Sequence, residues 1–370
     1  MLGFVRRHPL AAGGLLVGAA VAAAAASADS TLDPVAWDPP ERPTMTGALA
    51  PNDSLAGAET VVEVEGPEDA AFDEEGRLYT GGADGTVYRT VEPVGPGDTD
   101  LAVEPFAEPG GRPLGLAFDG EDLLACVQSV GLVSVSPDGS VETLAERAGG
   151  RPIAYADDLH VTDDAVYFTD ATVHDLFQHE LFELRDTGRL LSYRDGEVSV
   201  ELDGLGFANG VTPGPDGDSL LVTETSRYRV TRYYHRGDRA GEHEPFATNL
   251  PGYPDNIDRV ADGEGYWVAV PAPRDATLDG LHQYPWLVRQ LGKLPDGLLA
   301  QVDGDDYGLV LRLNEDGAIV DSHHDPSGGV FGVTSATPHE GALYLGSLWN
   351  DRLVRVRPAW NYPPTAPENN

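Results

Sequence analysis

The sequence predicts an all-β fold, a six-bladed β-propeller, from a repeated pattern, its spacing and its turns. Six segments share a turn, a short apolar strand, a Gly or Asp-Gly turn and further strands. They recur about every 45 residues, the length of one four-stranded blade. The segments open at Glu68, Pro113, Asp157, Asn209, Asp255 and Val333.

Each repeat contains apolar runs next to Gly-containing turns, as expected for the strands of one blade. In blade 1, residues 77–80 and 85–89 flank the turn at Ala83-Asp84-Gly85. The runs that predict strands in the other blades are 131–135, 165–170, 188–193, 219–224, 265–270, 341–347 and 353–356.

The spacing breaks once, between Asn256 and Ser335. The excess lies in residues 275–303, where apolar residues recur at partly helical spacing. We expect a short helical insertion within the fifth blade or between the fifth and sixth. It either covers a binding face, as insertions on rigid scaffolds often do, or only packs on a blade.

The N-terminus predicts a targeting segment, residues 1–28, that is a signal peptide or a signal anchor. Arg6 and Arg7 precede an uncharged stretch over 9–27, which at ~1.5 Å per residue can span a hydrocarbon core of ~30 Å. The arginines favour an exported or anchored protein with the propeller outside the cytoplasm. Cleavage and anchoring both stay open, and an uncleaved segment would hold the chain in the membrane.

The remaining sequence divides into three parts. Residues 29–60 are rich in Pro, Asp and Ala and predict a linker. Residues 61–360 hold the propeller, and 361–370 form a polar tail.

Composition excludes one class of partner. The chain has 61 acidic and 24 basic residues, a net charge of −37, which repels nucleic acid. A hydrophobic content of 41% argues against disorder. The acidity is typical of a solvated surface adapted to high salt, so we expect a halophilic protein.

The blade openings supply the candidate metal ligands. First strands of a propeller lie nearest its axis, so residues at matching positions converge. Here they include Glu68, Asp157, Asp158, Asn209, Asp255 and Asn256. Such oxygen ligands suit Ca²⁺, or another divalent cation, and carboxylates this close would repel one another without one. Local Asx turns would explain one or two of these residues, but not their matching positions.

Several motifs resemble those of the strictosidine synthase-like family. The most specific is Asn-Leu-Pro-Gly-Tyr-Pro-Asp-Asn-Ile at 249–257; others are 66–69, 207–211, 224–229 and 343–347. The resemblance spans about 64–357 and implies a six-bladed propeller, with a signal anchor in several members. The wider superfamily includes paraoxonases and the regucalcin and gluconolactonase proteins, which are calcium-dependent lactone or ester hydrolases.

The resemblance also implies a ligand set. Glu68, Asn209 and Asp255 match metal ligands shared across both groups, and Asn256 matches a further paraoxonase ligand. Asp69 and Asp158 match a second, structural calcium site. Asp157 stands where these relatives usually have Asn.

Two departures from the family pattern affect the expected activity. Leu114 stands at the position of the paraoxonase catalytic histidine. The position of the catalytic Glu of strictosidine synthases falls near Thr334. Neither a histidine dyad nor alkaloid condensation is therefore expected. Two functions stay open. One is hydrolysis of a small-molecule lactone or ester with Asp255 or Asp157 as catalytic general base. The other is a non-catalytic, calcium-stabilised propeller that binds a small molecule or protein at the cell surface.

Overall fold

The computed structural model describes residues 29–261, 264–300 and 306–357 of the chain. They form six four-stranded antiparallel sheets, each running outward from its first strand, as predicted for a six-bladed propeller. The sixth sheet is closed by the first strand of the chain, β1 (Glu59–Val62), which pairs with the last strand. The two ends of the propeller are thereby joined in one blade.

The first three blades follow chain order. Blade 1 comprises β2 (Ala71–Phe72), β3 (Leu78–Gly81), β4 (Val87–Thr90) and β5 (Val103–Ala107). Blade 2 comprises β6 (Pro113–Asp119), β7 (Asp122–Val127), β8 (Gly131–Val135) and β9 (Val141–Ala145). A small hairpin, β10 (Arg147–Ala148) and β11 (Arg151–Pro152), leads to blade 3, which comprises β12 (Ala156–Val161), β13 (Val166–Asp170), β14 (Gly188–Arg194) and β15 (Glu197–Leu205).

The last three blades repeat the arrangement. Blade 4 comprises β16 (Ala208–Pro213), β17 (Ser219–Glu224), β18 (Arg229–Tyr234) and β19 (His243–Ala247). Blade 5 comprises β20 (Ile257–Arg259), β21 (Tyr266–Ala269), β22 (Gly308–Leu313) and β23 (Ile319–Asp325). Blade 6 comprises β24 (Val333–His339), β25 (Ala342–Ser347), β26 (Leu353–Val356) and β1.

The core lies between adjacent blades. Leu124 and Cys126 of blade 2, for example, pack with Leu159 and Phe168 of blade 3. Both faces of such a strand are covered by neighbouring blades, which is why burial in β7 and β13 is continuous rather than alternating.

Four short helices form a layer, here called the cap. Helix α1 (Gln178–Glu183) belongs to blade 3, whereas α2 (Ala276–Leu281), α3 (Pro285–Leu291) and α4 (Asp296–Leu299) lie between β21 and β22. The predicted insertion is therefore confirmed and belongs to the fifth blade. Helix α2 begins after Asp275, whose side chain accepts the backbone N–H groups of the first turn.

The segment assigned to a linker packs on the cap and on blade 5. The Thr31 amide donates to the Gly292 carbonyl over 2.8 Å, and the Trp37 amide to the His282 carbonyl over 3.1 Å. Leu32 packs with cap residues, and Leu55 is fully buried in the cluster between blades 5 and 6. Burial of these leucines gives the segment an apolar anchor that its Pro-rich composition did not suggest.

No helix in the described ranges is long and apolar enough to cross a membrane. The predicted targeting segment, 1–28, and the polar tail, 361–370, lie outside the described residues.

Candidate metal and active site on the propeller axis

The first strands carry the same irregularity in four blades. In blade 3, Ala156 pairs with Asp170 and Leu159 with Phe168, so β12 has one residue more than its partner over this stretch. The same shift occurs in blades 2, 4 and 6. The residue pairs inside these bulges are Leu114-Gly115, Asp157-Asp158, Asn209-Gly210 and Thr334-Ser335. Bulges redirect side chains away from the regular ladder, and the predicted ligands of blades 3 and 4 lie in them.

The other predicted ligands precede the first strands of blades 1 and 5. Glu68 and Asp69 come just before β2, and Asp255 and Asn256 just before β20. All seven predicted ligands are buried, with relative exposures of 2–8%.

Ligands from different blades meet on the axis. The Asn256 Nδ2 group of blade 5 donates to Glu68 Oε1 of blade 1 over 3.4 Å. The Asn209 side chain of blade 4 hydrogen-bonds to Asp255. The convergence predicted for the openings is therefore present in these contacts.

The axis is electrostatically unfavourable without a cation. Burial raises the pKa of Glu68, and the nearby carboxylates of Asp255 and Asp69 raise it further. Burial and Asp255 also raise the pKa of Asp157, against a smaller lowering by the positive charge of Arg112. Positive charge among these groups would stabilise their ionised forms.

Three oxygens on the axis have no hydrogen-bond donor among the described residues. They are Glu68 Oε2, Asn209 Oδ1 and Asn256 Oδ1, all buried. A buried acceptor without a donor costs about 1–3 kcal/mol, and carboxylate and amide oxygens are the ligands that Ca²⁺ prefers. In the described ranges no three His, Cys, Asp or Glu side chains form an ion-holding group by themselves. The set fits a cation because the amide oxygens of Asn209 and Asn256 complete it.

Asp69 and Asp158 line a separate cavity of about 120 Å³ together with Asn256, His160 and Asp258. Asp69 Oδ2 accepts the Leu116 amide over 3.0 Å, and Asp158 Oδ2 accepts the Val211 amide over 2.7 Å. Burial raises the pKa of Asp69 to about 6 and that of Asp258 to about 8. The seven predicted ligands thus divide into two groups, and Asn256 belongs to both.

Sequence reasoning missed Asp258. It lies two residues after Asn256 on the first strand of blade 5, and alternation places such residues on one face of a strand. This alternation is the sequence signal that could have identified Asp258 as a site residue. His160, also in this cavity, is held neutral because burial lowers its pKa to about 4.

An apolar cluster lies beside the axial carboxylates. Leu114, Tyr155, Ala171 and Phe207 pack together, with Phe177 against them. The rings of Tyr155 and Phe207 have centroids 5.8 Å apart. Tyr155 and Phe207 each come two residues before a predicted ligand, Asp157 and Asn209, which is the pattern that could have identified them.

Leu114 and Thr334, the two departures from the family pattern, have structural roles in the fold. Leu114 is 1% exposed within the apolar cluster. The Thr334 hydroxyl donates to the Glu68 carbonyl over 2.7 Å, which ties blade 6 to blade 1. Neither residue supplies an acid or a base.

Solved structures share the fold. A gluconolactonase from Xanthomonas campestris is similar with a TM-score of 0.57 and 19% identity, over 89% of this chain and 98% of that one. A calcium-binding protein, regucalcin, from Agrobacterium tumefaciens is similar with a TM-score of 0.52 and 13% identity, over 81% of this chain and 95% of that one. At such identities the likeness establishes the propeller fold alone.

Sequence relatives are closer. The family model described as strictosidine synthase-like, N-terminal, matches residues 47–90, and the strictosidine synthase model matches residues 157–238. The adipocyte plasma membrane-associated protein of Salmo salar is 36% identical over 358 residues, covering 89% of this chain and 84% of that protein. With identity of this extent across the whole propeller, the chain belongs to the strictosidine synthase-like family.

Proposed function

We propose that the axial site binds Ca²⁺ and that the protein hydrolyses a lactone or carboxylic ester. The observation that carries the proposal is the set of three buried, donor-free oxygens on Glu68, Asn209 and Asn256. Asp255 and Asp157 add carboxylates to this set. Another divalent cation with a preference for oxygen would suit the same ligands.

The ion and the protein would divide the chemistry. When bound, Ca²⁺ supplies Lewis-acid stabilisation of negative charge on a carbonyl oxygen. The cluster of Leu114, Tyr155 and Phe207 would hold the apolar part of the substrate and exclude water. A solved propeller named a gluconolactonase suggests this class of reaction, and one named a calcium-binding regucalcin suggests the ion; the shared fold is compatible with both.

Asp157 is the better candidate for the general base. Its pKa is raised by burial, which makes it a stronger proton acceptor near neutral pH than an exposed Asp. Burial raises the pKa of Asp255 as well, but its carboxylate is engaged by a hydrogen bond from Asn209, which offsets part of that rise. Asp157 would take a proton from the attacking water, and positive charge nearby, that of a bound ion together with the smaller effect of Arg112, would favour its ionised form beforehand.

Hydrolysis of a lactone panel and phenyl acetate by the full chain in high salt tests the proposal. We expect turnover that a chelator removes and added calcium restores. Turnover unaffected by the chelator and by Asn209→Ala would overturn it.

A second function is favoured by Leu114 and Thr334. They stand where the resemblance implies the catalytic histidine of paraoxonases and the catalytic Glu of strictosidine synthases. The protein would then be a calcium-stabilised propeller that binds a small molecule or protein at the cell surface. Absence of turnover across the panel, with calcium raising the melting temperature, would select this function. For either one we propose that residues 1–28 export or anchor the chain with the propeller outside the cytoplasm, consistent with a relative named for the plasma membrane.

A further inference from the structure

Exposed apolar side chains concentrate on the cap. Tyr284 is 51% exposed and Trp286 66%, and within the described ranges they are the only aromatic residues among the large exposed hydrophobic ones. Leu298 of α4, Val173 before α1 and Val35 of the N-terminal segment are 37–42% exposed. Five of the nine large exposed hydrophobic residues in the described ranges therefore lie on the cap, in the loop leading into it or on the segment packed on it.

The same region departs from the charge of the protein. Residues 280–295 contain no Asp or Glu, although the chain carries 61 in 370 residues. They include Arg289 and Lys293, and Lys293 is the only lysine in the chain. A surface that is acidic elsewhere repels anionic lipid head groups, whereas this stretch does not.

The cap is held firmly enough to present a fixed face. Buried Arg274 donates to Asp279 Oδ2 of α2 over 3.0 Å and to the Pro40 carbonyl over 2.8 Å. Val288 of α3 and Leu299 of α4 are buried against Leu32 and Phe182. Tyr284 and Trp286 are therefore exposed at the start of a helix that is packed in place.

The N-terminal apolar stretch reaches the described part of the chain beside this face. Residues 9–27 are uncharged and apolar in sequence. The chain then meets α3 at once, because the Thr31 amide and hydroxyl both donate to Gly292, at 2.8 and 3.0 Å. A membrane that received residues 9–27 would lie next to the end of α3.

We propose that the cap face formed by Tyr284, Trp286 and Leu298 rests on a lipid surface as a second contact beside the N-terminal segment. Tyr and Trp suit the membrane interface, since each combines an apolar ring with a polar group that stays hydrated. Lys293 would meet lipid phosphates, whereas Arg289 is paired with the exposed carboxylate of Asp33. The inference does not depend on the axial site or on catalysis.

The contact also bears on access to the axis. Phe177, immediately before cap helix α1, packs on Phe207 of the apolar cluster, with ring centroids 6.3 Å apart. A cap resting on lipid would therefore place the apolar cluster near the membrane.

A label on the cap tests the proposal in the full chain. The single native cysteine, Cys126, is fully buried, so a Trp286→Cys variant carries one reactive thiol for an environment-sensitive fluorophore. The matched control is Val320→Cys, at a position 47% exposed on the outer strand of blade 5. Both variants are reconstituted into anionic phospholipid vesicles in high salt.

We expect the label at position 286 to shift its emission to the blue, to be quenched by a lipid-borne quencher and to be protected from aqueous iodide. The label at position 320 should behave in the opposite way. Equal iodide quenching at the two positions would overturn the proposal. Protection from iodide without quenching from lipid would also overturn it, and would indicate a second copy of the chain on this face.

Discussion

Asn256 Nδ2 donates to Glu68 Oε1 over 3.4 Å, although the two residues are 188 positions apart and belong to blades 5 and 1. The second oxygen of Glu68 and the amide oxygen of Asn256 have no donor in the described part of the chain. The pair therefore joins non-adjacent blades while leaving acceptors open on the axis. This arrangement satisfies only part of the local hydrogen-bonding capacity, and the remaining acceptors are the ones proposed to bind a cation.

Asp157→Asn separates the roles of base and ligand. If Asp157 takes the proton from water, we expect kcat to fall about 10²–10⁴-fold, because an amide cannot accept it. Calcium binding should persist, since Asn retains a ligand oxygen. The measurement is steady-state hydrolysis beside calcium titration of the same variant. Unchanged kcat with intact calcium binding would contradict the role of Asp157.

Arg189→Met tests the ion pair behind the axial strand of blade 3. Arg189 donates to Asp170 Oδ2 over 3.0 Å, and both side chains are at most 2% exposed. Asp170 Oδ1 also accepts the Tyr155 amide over 2.9 Å. Loss of the Arg189 guanidinium leaves the buried carboxylate of Asp170 uncompensated, so we expect the free energy of unfolding to fall by about 3–5 kcal/mol.

Arg239→Met is the control for this change, measured by urea unfolding of both variants. Arg239 pairs with Glu242 on the surface, with side chains 42% and 60% exposed, so its loss should cost under about 1 kcal/mol. Similar losses for the two variants would contradict the assignment.

The packing of the cap should depend on pH through His282. Burial lowers the pKa of His282 to about 4, below an unfolded value of about 6.5. The folded state therefore binds fewer protons between these values, so stability is full above pH 6.5 and is lost as the pH falls towards 4. We expect a loss of up to about 3 kcal/mol from this group.

His282→Gln should lack that component, because Gln keeps a donor for the Leu181 carbonyl, which His282 Nε2 contacts at 2.9 Å, but does not titrate. Urea unfolding at pH 4.5 and 7.5 makes the comparison. The same pH dependence in the wild type and the variant would rule out His282 as its source.

Much of the fold could be predicted from the sequence because its determinants are local and repeated. The apolar runs, the Gly turns and the position of the insertion all follow from periodicity, and the structure confirms them. The convergence of Glu68 with Asn256 followed from the propeller architecture once the openings were aligned.

Contacts without a local pattern could not be predicted. The N-terminal segment reads as a linker because Leu32 and Leu55 are isolated among Pro, Asp and Ala, and only tertiary packing buries them. Arg112, which lowers the pKa of Asp157, comes from blade 2 and lies 45 residues before it. Nothing in the repeat indicates that neighbour.

The net charge of −37 predicts a stability that rises with salt. The Debye screening length shortens from about 10 Å at 0.1 M salt to about 3 Å at 1 M salt, which removes repulsion between surface carboxylates. We expect the melting temperature in chelator to rise between 0.1 and 1 M KCl. A flat or falling melting temperature would contradict a surface adapted to high salt.

Calorimetric titration of CaCl₂ into the metal-free full chain in 1 M KCl tests the axial site most directly. The expected result is saturable binding that weakens at least about tenfold, or about 1.4 kcal/mol, in Asn209→Ala and in Asn256→Ala. It should be unchanged in Asn350→Ala, whose buried amide oxygen accepts only the Asp351 amide among the described residues. Absence of saturable binding, or wild-type affinity in both axial variants, would contradict the assignment of a cation to Glu68, Asn209 and Asn256.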